Sequence, residues 1–168
     1  MRIIDTSEFE LFFKQDLIFR DVDWKDSTEL FDKISTILED KGYVYSTFHK
    51  AIKEREKIYP TGIQTKSIGV AIPHTDPKNI KQAFISVVRP KKTIGFSPMG
   101  GSSDDEQIQA KLIFVLGVKR DGLQVKVLQK LMEIFSNEDI INNMLHAQSD
   151  RELYEIIRNS FHNIYKDI

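Results

Sequence analysis

The chain has no cysteine among its 168 residues, which excludes disulfides, thiolate chemistry and cysteine-based zinc sites. It has almost no charge imbalance: the formal net charge is -1, so it offers no electrostatic footprint for nucleic acid or an anionic membrane. No apolar run approaches the roughly 20 residues needed to span a bilayer. Met1 to Asp5 lack the basic stretch and long apolar core of a signal peptide. Low-complexity tracts, internal repeats and linkers are absent too. What remains, 40% hydrophobic and 29% charged residues, is the make-up of an ordinary globular protein. The expectation is one domain over residues 1–168, cytoplasmic, with no nucleic-acid partner and no insertion into membrane.

Periodicity sets the elements. Leu30, Phe31, Ile34, Ile37 and Leu38 form an apolar face at helical spacing, predicting a helix over 27–41 with Ser27 as N-cap and Gly42 as its left-handed stop. A second helix over 46–57 is stopped by Tyr59-Pro60-Thr61-Gly62. Strands are predicted over 67–72, 83–89 and 111–118, with a shorter one near 93–96. In the second, Ala83, Ile85 and Val87 are expected to alternate with outward positions. The nearly continuous apolar run of the third marks it as central. Helices follow over 123–135, 139–147 and 150–161, the last opened by a Ser149–Glu152 capping box. Residues 1–26, including Phe9, Leu11 and Phe12, form an N-terminal extension expected as a strand or helix at the domain edge. The fold class is α/β, a mixed β-sheet flanked by helices in a single layered domain.

Chemistry concentrates in Ile68-Gly69-Val70-Ala71-Ile72-Pro73-His74-Thr75-Asp76. Small and β-branched residues read as a buried strand, Pro73 ends its ladder, and a histidine follows at a rigid strand end. Imidazole is the side chain whose ordinary pKa lies near neutrality, so it supplies an unprotonated, nucleophilic nitrogen. An isolated Pro-His pair more often marks a histidine that only bonds backbone.

The neighbouring segments change that balance. Arg55-Glu56, then Tyr59-Pro60-Thr61-Gly62-Ile63, then the segment ending in His74, resemble the enzyme IIA components of bacterial sugar phosphotransferase systems. The similarity is to the fructose/mannitol-type superfamily, galactitol-like branch, and runs from about Glu29 to about Ile157. It implies the mannitol-type enzyme IIA fold and a phosphocarrier activity. His74 would accept a phosphoryl group from the histidine phosphocarrier protein and pass it to a cysteine of enzyme IIB for carbohydrate uptake. The resemblance also places Arg55 beside the histidine, where its guanidinium would steady the phosphoryl oxygens. On the same argument Thr61 and Thr75 are weaker donors. Thr75 departs from the family, which usually has Gly, Ala or Cys there. No cofactor and no metal are implied. The alternative is a phosphorylation-sensing enzyme IIA-like domain of a transcriptional regulator.

The other histidines have plainer readings. His49 falls on the second helix and is expected to be structural. His146 and His162 lie in the C-terminal helices, where cationic character is mildly stabilising. None shows a metal-ligand spacing. The second histidine of the mannitol branch, aligned through Leu123-Gln124-Val125, falls on Gly122 and cannot be carried over. Gly62 to Ser67 lacks the glycine of a phosphate-binding loop, and the acids of the 100–106 loop repel phosphate.

Overall fold

In the computed structural model, residues 12–119 and 121–163 are described. Six strands, β1 (Phe13–Val22), β2 (Gly62–Gln64), β3 (Gly69–Ala71), β4 (Phe84–Pro90), β5 (Ile94–Phe96) and β6 (Ile108–Gly117), form one mixed sheet. Five helices flank it: α1 (Ser27–Asp40), α2 (Phe48–Ile58), α3 (Asp121–Phe135), α4 (Glu138–His146) and α5 (Asp150–Asn163). The strand order is β1-β4-β6-β3-β2, with β5 also paired to β6. β1 and β4 run parallel, as do β3 and β6; the other pairs are antiparallel.

β6 is central, and its alternation sorts the core into two layers. Leu112, Phe114 and Leu116 join Val127, Leu131, Ile134, Met144 and Leu153 from α3, α4 and α5. Ile113 and Val115 point the other way, into Leu30, Ile34, Leu38, Phe48 and Ile52 of α1 and α2. A strand covered on both faces must be apolar throughout, which explains its continuous run. The same cover applies to β4, all of whose residues are buried, so the expected outward positions do not exist. Ser86, buried there, donates to the Leu17 carbonyl at 2.7 Å.

Element ends follow local chemistry. The cap of α1 is Asp26, not Ser27: its carboxylate accepts the Glu29 amide at 2.9 Å while Glu29 accepts the Lys25 amide at 3.2 Å. Gly42, at φ 81°, closes α1 as expected, with Gly42 N–H to Glu39 O and Tyr43 N–H to Leu38 O. Ser149 accepts the Glu152 amide at 3.0 Å. The N-terminal segment supplies β1, at the edge of the sheet; Phe9 and Leu11 lie outside the described residues. β2, read from sequence as part of a turn, pairs with β3. Its hairpin is closed by the Thr65 hydroxyl, which accepts the Ser67 and Ile68 amides.

Gly62 lets β2 lie against the β5–β6 connection, with its amide on Ser97 O at 3.0 Å and its carbonyl taking the Met99 amide at 2.8 Å. A Cβ at this position would stand 2.7 Å from the Ser97 carbonyl oxygen. Gly62→Ala is therefore expected to cost about 1–3 kcal/mol. Thermal unfolding followed by circular dichroism checks this, and an unchanged midpoint would mean that the backbone yields freely.

Candidate functional site

The site lies where three segments meet: the end of α2, the 59–62 turn, and the peptide after β3. The β3 ladder ends at Ala71, yet Pro73 does not stop pairing with β6. Its carbonyl takes the Leu116 amide at 3.0 Å, and His74 forms a bridge with Leu116. Proline has lost only its donor; its acceptor still serves. The segment carrying His74 is thereby fixed to the central strand.

His74 is only 8% exposed. Its Nδ1 lies 2.7 Å from the Ile72 carbonyl oxygen. A carbonyl only accepts, so Nδ1 carries the proton and Nε2 the lone pair. Nε2 has no hydrogen-bond partner among the described residues and is not among the sealed, unpartnered atoms, so it keeps contact with solvent. Burial pushes the His74 pKa below its ordinary value; the Ile72 carbonyl opposes the shift, the Arg55 charge adds to it, and Asp76 opposes it. At neutral pH the imidazole is uncharged and nucleophilic.

Arg55 stands near enough for that charge to be felt. Its Nη1 donates to Asp76 Oδ1 at 3.2 Å, and its guanidinium lies 4.9 Å from the centre of the Tyr59 ring. Its Nε is buried without a partner. The guanidinium is thus held by an acid and a ring, with its buried Nε–H unspent.

The two threonines have other occupations. Thr61 donates its hydroxyl to the Glu56 carboxylate at 3.0–3.1 Å, its amide also bonds Glu56 at 2.8 Å, and its oxygen accepts the Ile72 amide at 3.3 Å. Thr75 is buried and donates to the Asp76 carbonyl at 3.1 Å. Sequence reasoning brought His74 and Arg55 together but assigned nothing to Asp76, Tyr59 or Glu56. All three lie within the motif segments: Glu56 beside Arg55, Tyr59 in the 59–63 element and Asp76 two residues after His74. None carries a role legible from sequence, and Glu56 is further masked by a run of mixed charges. His49 binds Asp32 at 2.6 Å and His146 bonds the Asn142 carbonyl at 2.8 Å, away from these contacts. No cluster of three metal-ligating groups occurs among the described residues, and no helix there is long and apolar enough to cross a membrane.

The family model described as phosphoenolpyruvate-dependent sugar phosphotransferase system, EIIA 2, matches residues 11–160. The galactitol-specific EIIA component of Escherichia coli K12 is 27% identical over 124 residues, 74% of this chain and 81% of that protein. The mannitol-specific phosphotransferase enzyme IIA component of Staphylococcus aureus is 29% identical over 146 residues, 86% of this chain and 93% of that protein. Among solved structures, an Escherichia coli complex of enzyme IIAMTL and phosphorylated enzyme IIBMTL superposes with a TM-score of 0.68 at 20% identity, covering 88% of this chain and 99% of that one.

Glu56 also carries a cost. Burial raises its pKa from 4.5 to about 7, against the two Thr61 hydrogen bonds, which lower it. Between those values the folded protein holds a proton that the unfolded chain has lost, so stability falls as pH rises through the window. Glu56→Gln escapes this. It is expected to be more stable than the parent by about 1–3 kcal/mol near pH 8, discounting for partial exposure, with the gain vanishing near pH 4. Denaturant melts at both pH values check the sign; a variant less stable at the higher pH would contradict it.

Proposed function

The chain belongs to the EIIA 2 family of the phosphoenolpyruvate-dependent sugar phosphotransferase system, and we propose that it is a phosphoryl carrier acting through His74. The observation that carries this reading is the His74 Nδ1–H bond to the Ile72 carbonyl, with Nε2 left open to solvent. The Nε2 lone pair attacks the phosphorus of the phosphohistidine on the histidine phosphocarrier protein. The Nε2–P bond forms, the donor N–P bond breaks, and the donor imidazole leaves with its electron pair. In the second half-reaction a cysteine thiolate of enzyme IIB attacks phosphorus and Nε2 leaves. The phosphoramidate donor is already activated, so positioning and charge stabilisation supply the catalysis. The likeness to a IIA protein solved with its phosphorylated IIB supports that acceptor.

Arg55 is the phosphoryl-stabilising residue in this scheme. Nη1, once released from Asp76, and the adjacent Nη2 provide a forked donor pair for the equatorial oxygens. Thr75 is the lesser donor, since its hydroxyl can turn from the Asp76 carbonyl to a phosphoryl oxygen. Thr61 supports the site through the Ile72 amide. Galactitol- and mannitol-specific relatives point to a hexitol or related carbohydrate as the transported substrate.

With phosphoenolpyruvate, enzyme I and the histidine phosphocarrier protein, the parent is expected to take up acid-labile phosphate and His74→Ala to take up none. Full labelling of that variant, or label mapped to His49, His146 or His162, would refute the proposal. Arg55→Lys keeps the charge but loses the fork; stopped-flow transfer should slow by about 10- to 1000-fold, roughly 1.4–4 kcal/mol of transition-state stabilisation. Equal rates in both directions would return Arg55 to a purely structural pairing with Asp76.

A further inference from the structure

Glu56 sits on the last turns of α2 and faces inward, yet no step of the transfer uses it. Its carboxylate takes both protons that Thr61 offers, from the amide at 2.8 Å and from the hydroxyl at 3.0–3.1 Å. A hydroxyl has one proton and two lone pairs. With the proton committed to Glu56, the Thr61 oxygen turns a lone pair to the Ile72 amide at 3.3 Å. The Ile72 residue whose amide is held there also provides the carbonyl that accepts Nδ1–H of His74 at 2.7 Å. An unbroken path of hydrogen bonds and backbone runs from the carboxylate to the nucleophile.

We propose that Glu56 is a positioning residue for phosphoryl transfer: through the Thr61 hydroxyl and the Ile72 backbone its carboxylate holds His74 in the Nδ1–H tautomer, with Nε2 aimed outward. The proposal rests on the phosphocarrier reading of His74.

The arrangement also makes the site responsive to pH. Glu56 borders an open cleft of about 520 Å³. The charged groups on that cleft are Lys53 and Lys57, from its own helix; α1 brings Ser27 and Thr28, and the far wall brings Ser97 and Gln107, all neutral. Lys53 is engaged by Asp32. No opposing acid or close cation sets the Glu56 titration; burial does, lifting it to about 7. Protonation turns one carboxylate oxygen into a donor that competes for the Thr61 oxygen. Only one acceptor oxygen then remains for the Thr61 amide and hydroxyl together, and the hold on Ile72 loosens.

The test compares the parent with Glu56→Gln, Glu56→Ala and Thr61→Val, each first shown to fold by its amide spectrum. Imidazole nitrogen NMR, made without any phosphoryl donor, reads the His74 tautomer. The expected result is a single Nδ1–H form in the parent near pH 8, and mixed tautomers in Glu56→Gln, Glu56→Ala and Thr61→Val. Transfer rates against pH give a second readout. The parent should show a step near pH 7 above the fall caused by protonation of His74. Glu56→Gln, which like the protonated acid has one acceptor and one donor at every pH, should lack that step and stay near the parent's lower, protonated-state rate. Glu56→Ala should lose about 10-fold or more throughout. An unchanged His74 tautomer in both Glu56→Ala and Thr61→Val would overturn the proposal, as would a step near pH 7 that persists in Glu56→Gln. If the parent itself takes up no phosphoryl group, the phosphocarrier reading fails, while the tautomer spectra still decide whether Glu56 positions His74.

Discussion

A single hydrogen bond, from His74 Nδ1–H to the carbonyl of Ile72 two residues earlier, determines what the rest of the site can do. It places the ring proton on one nitrogen and leaves the lone pair on the other. The bond is short, at 2.7 Å, and its acceptor is backbone rather than a mobile side chain. That backbone is held by the sheet: β3 runs parallel to β6, and Pro73 passes the pairing on to Leu116. The orientation of the imidazole therefore inherits the rigidity of the central strand, β6. Arg55 is fixed by Asp76 and the face of Tyr59.

The same few residues hold states that folding penalises. His74 is kept neutral by burial, Glu56 is driven toward protonation by burial, and the Nε of Arg55 is sealed without an acceptor. Each costs stability on its own, and together they mark a place where local rules are broken for a use other than folding. Arg89, buried in β4, is instead satisfied: it donates to the Met144 and Leu145 carbonyls. The chain's family is that of EIIA components of the phosphoenolpyruvate-dependent sugar phosphotransferase system, and the use proposed for these states is to accept a phosphoryl group and give it up.

Much of the fold was legible in the sequence because its signals are periodic. The apolar face of α1, the continuous run of β6 and the left-handed Gly42 each have one physical reading, and the structure matches them. β2 was missed because Gly62-Ile63-Gln64 has no alternation to detect; only its pairing with β3 makes it a strand. The alternation expected in β4 failed because a sheet covered on both faces removes the outward positions. Of the site, His74 and Arg55 were visible through motif and resemblance. Asp76, Tyr59 and Glu56 were not, since their roles arise from contacts across α2, the 59–62 turn and the loop after His74. A charged residue in Lys53-Glu54-Arg55-Glu56-Lys57 looks solvated until the fold shows which one faces inward.

On the phosphocarrier reading, the Ile72 carbonyl selects the ring nitrogen that carries phosphate. Phosphorus and nitrogen NMR of the phosphorylated protein, with its imidazole nitrogens labelled, tests this most directly. The phosphorus is expected to couple to Nε2 of His74, with Nδ1 still protonated. Coupling to Nδ1, or to a nitrogen of any other histidine, would show that the Ile72 carbonyl does not select the phosphorylated nitrogen.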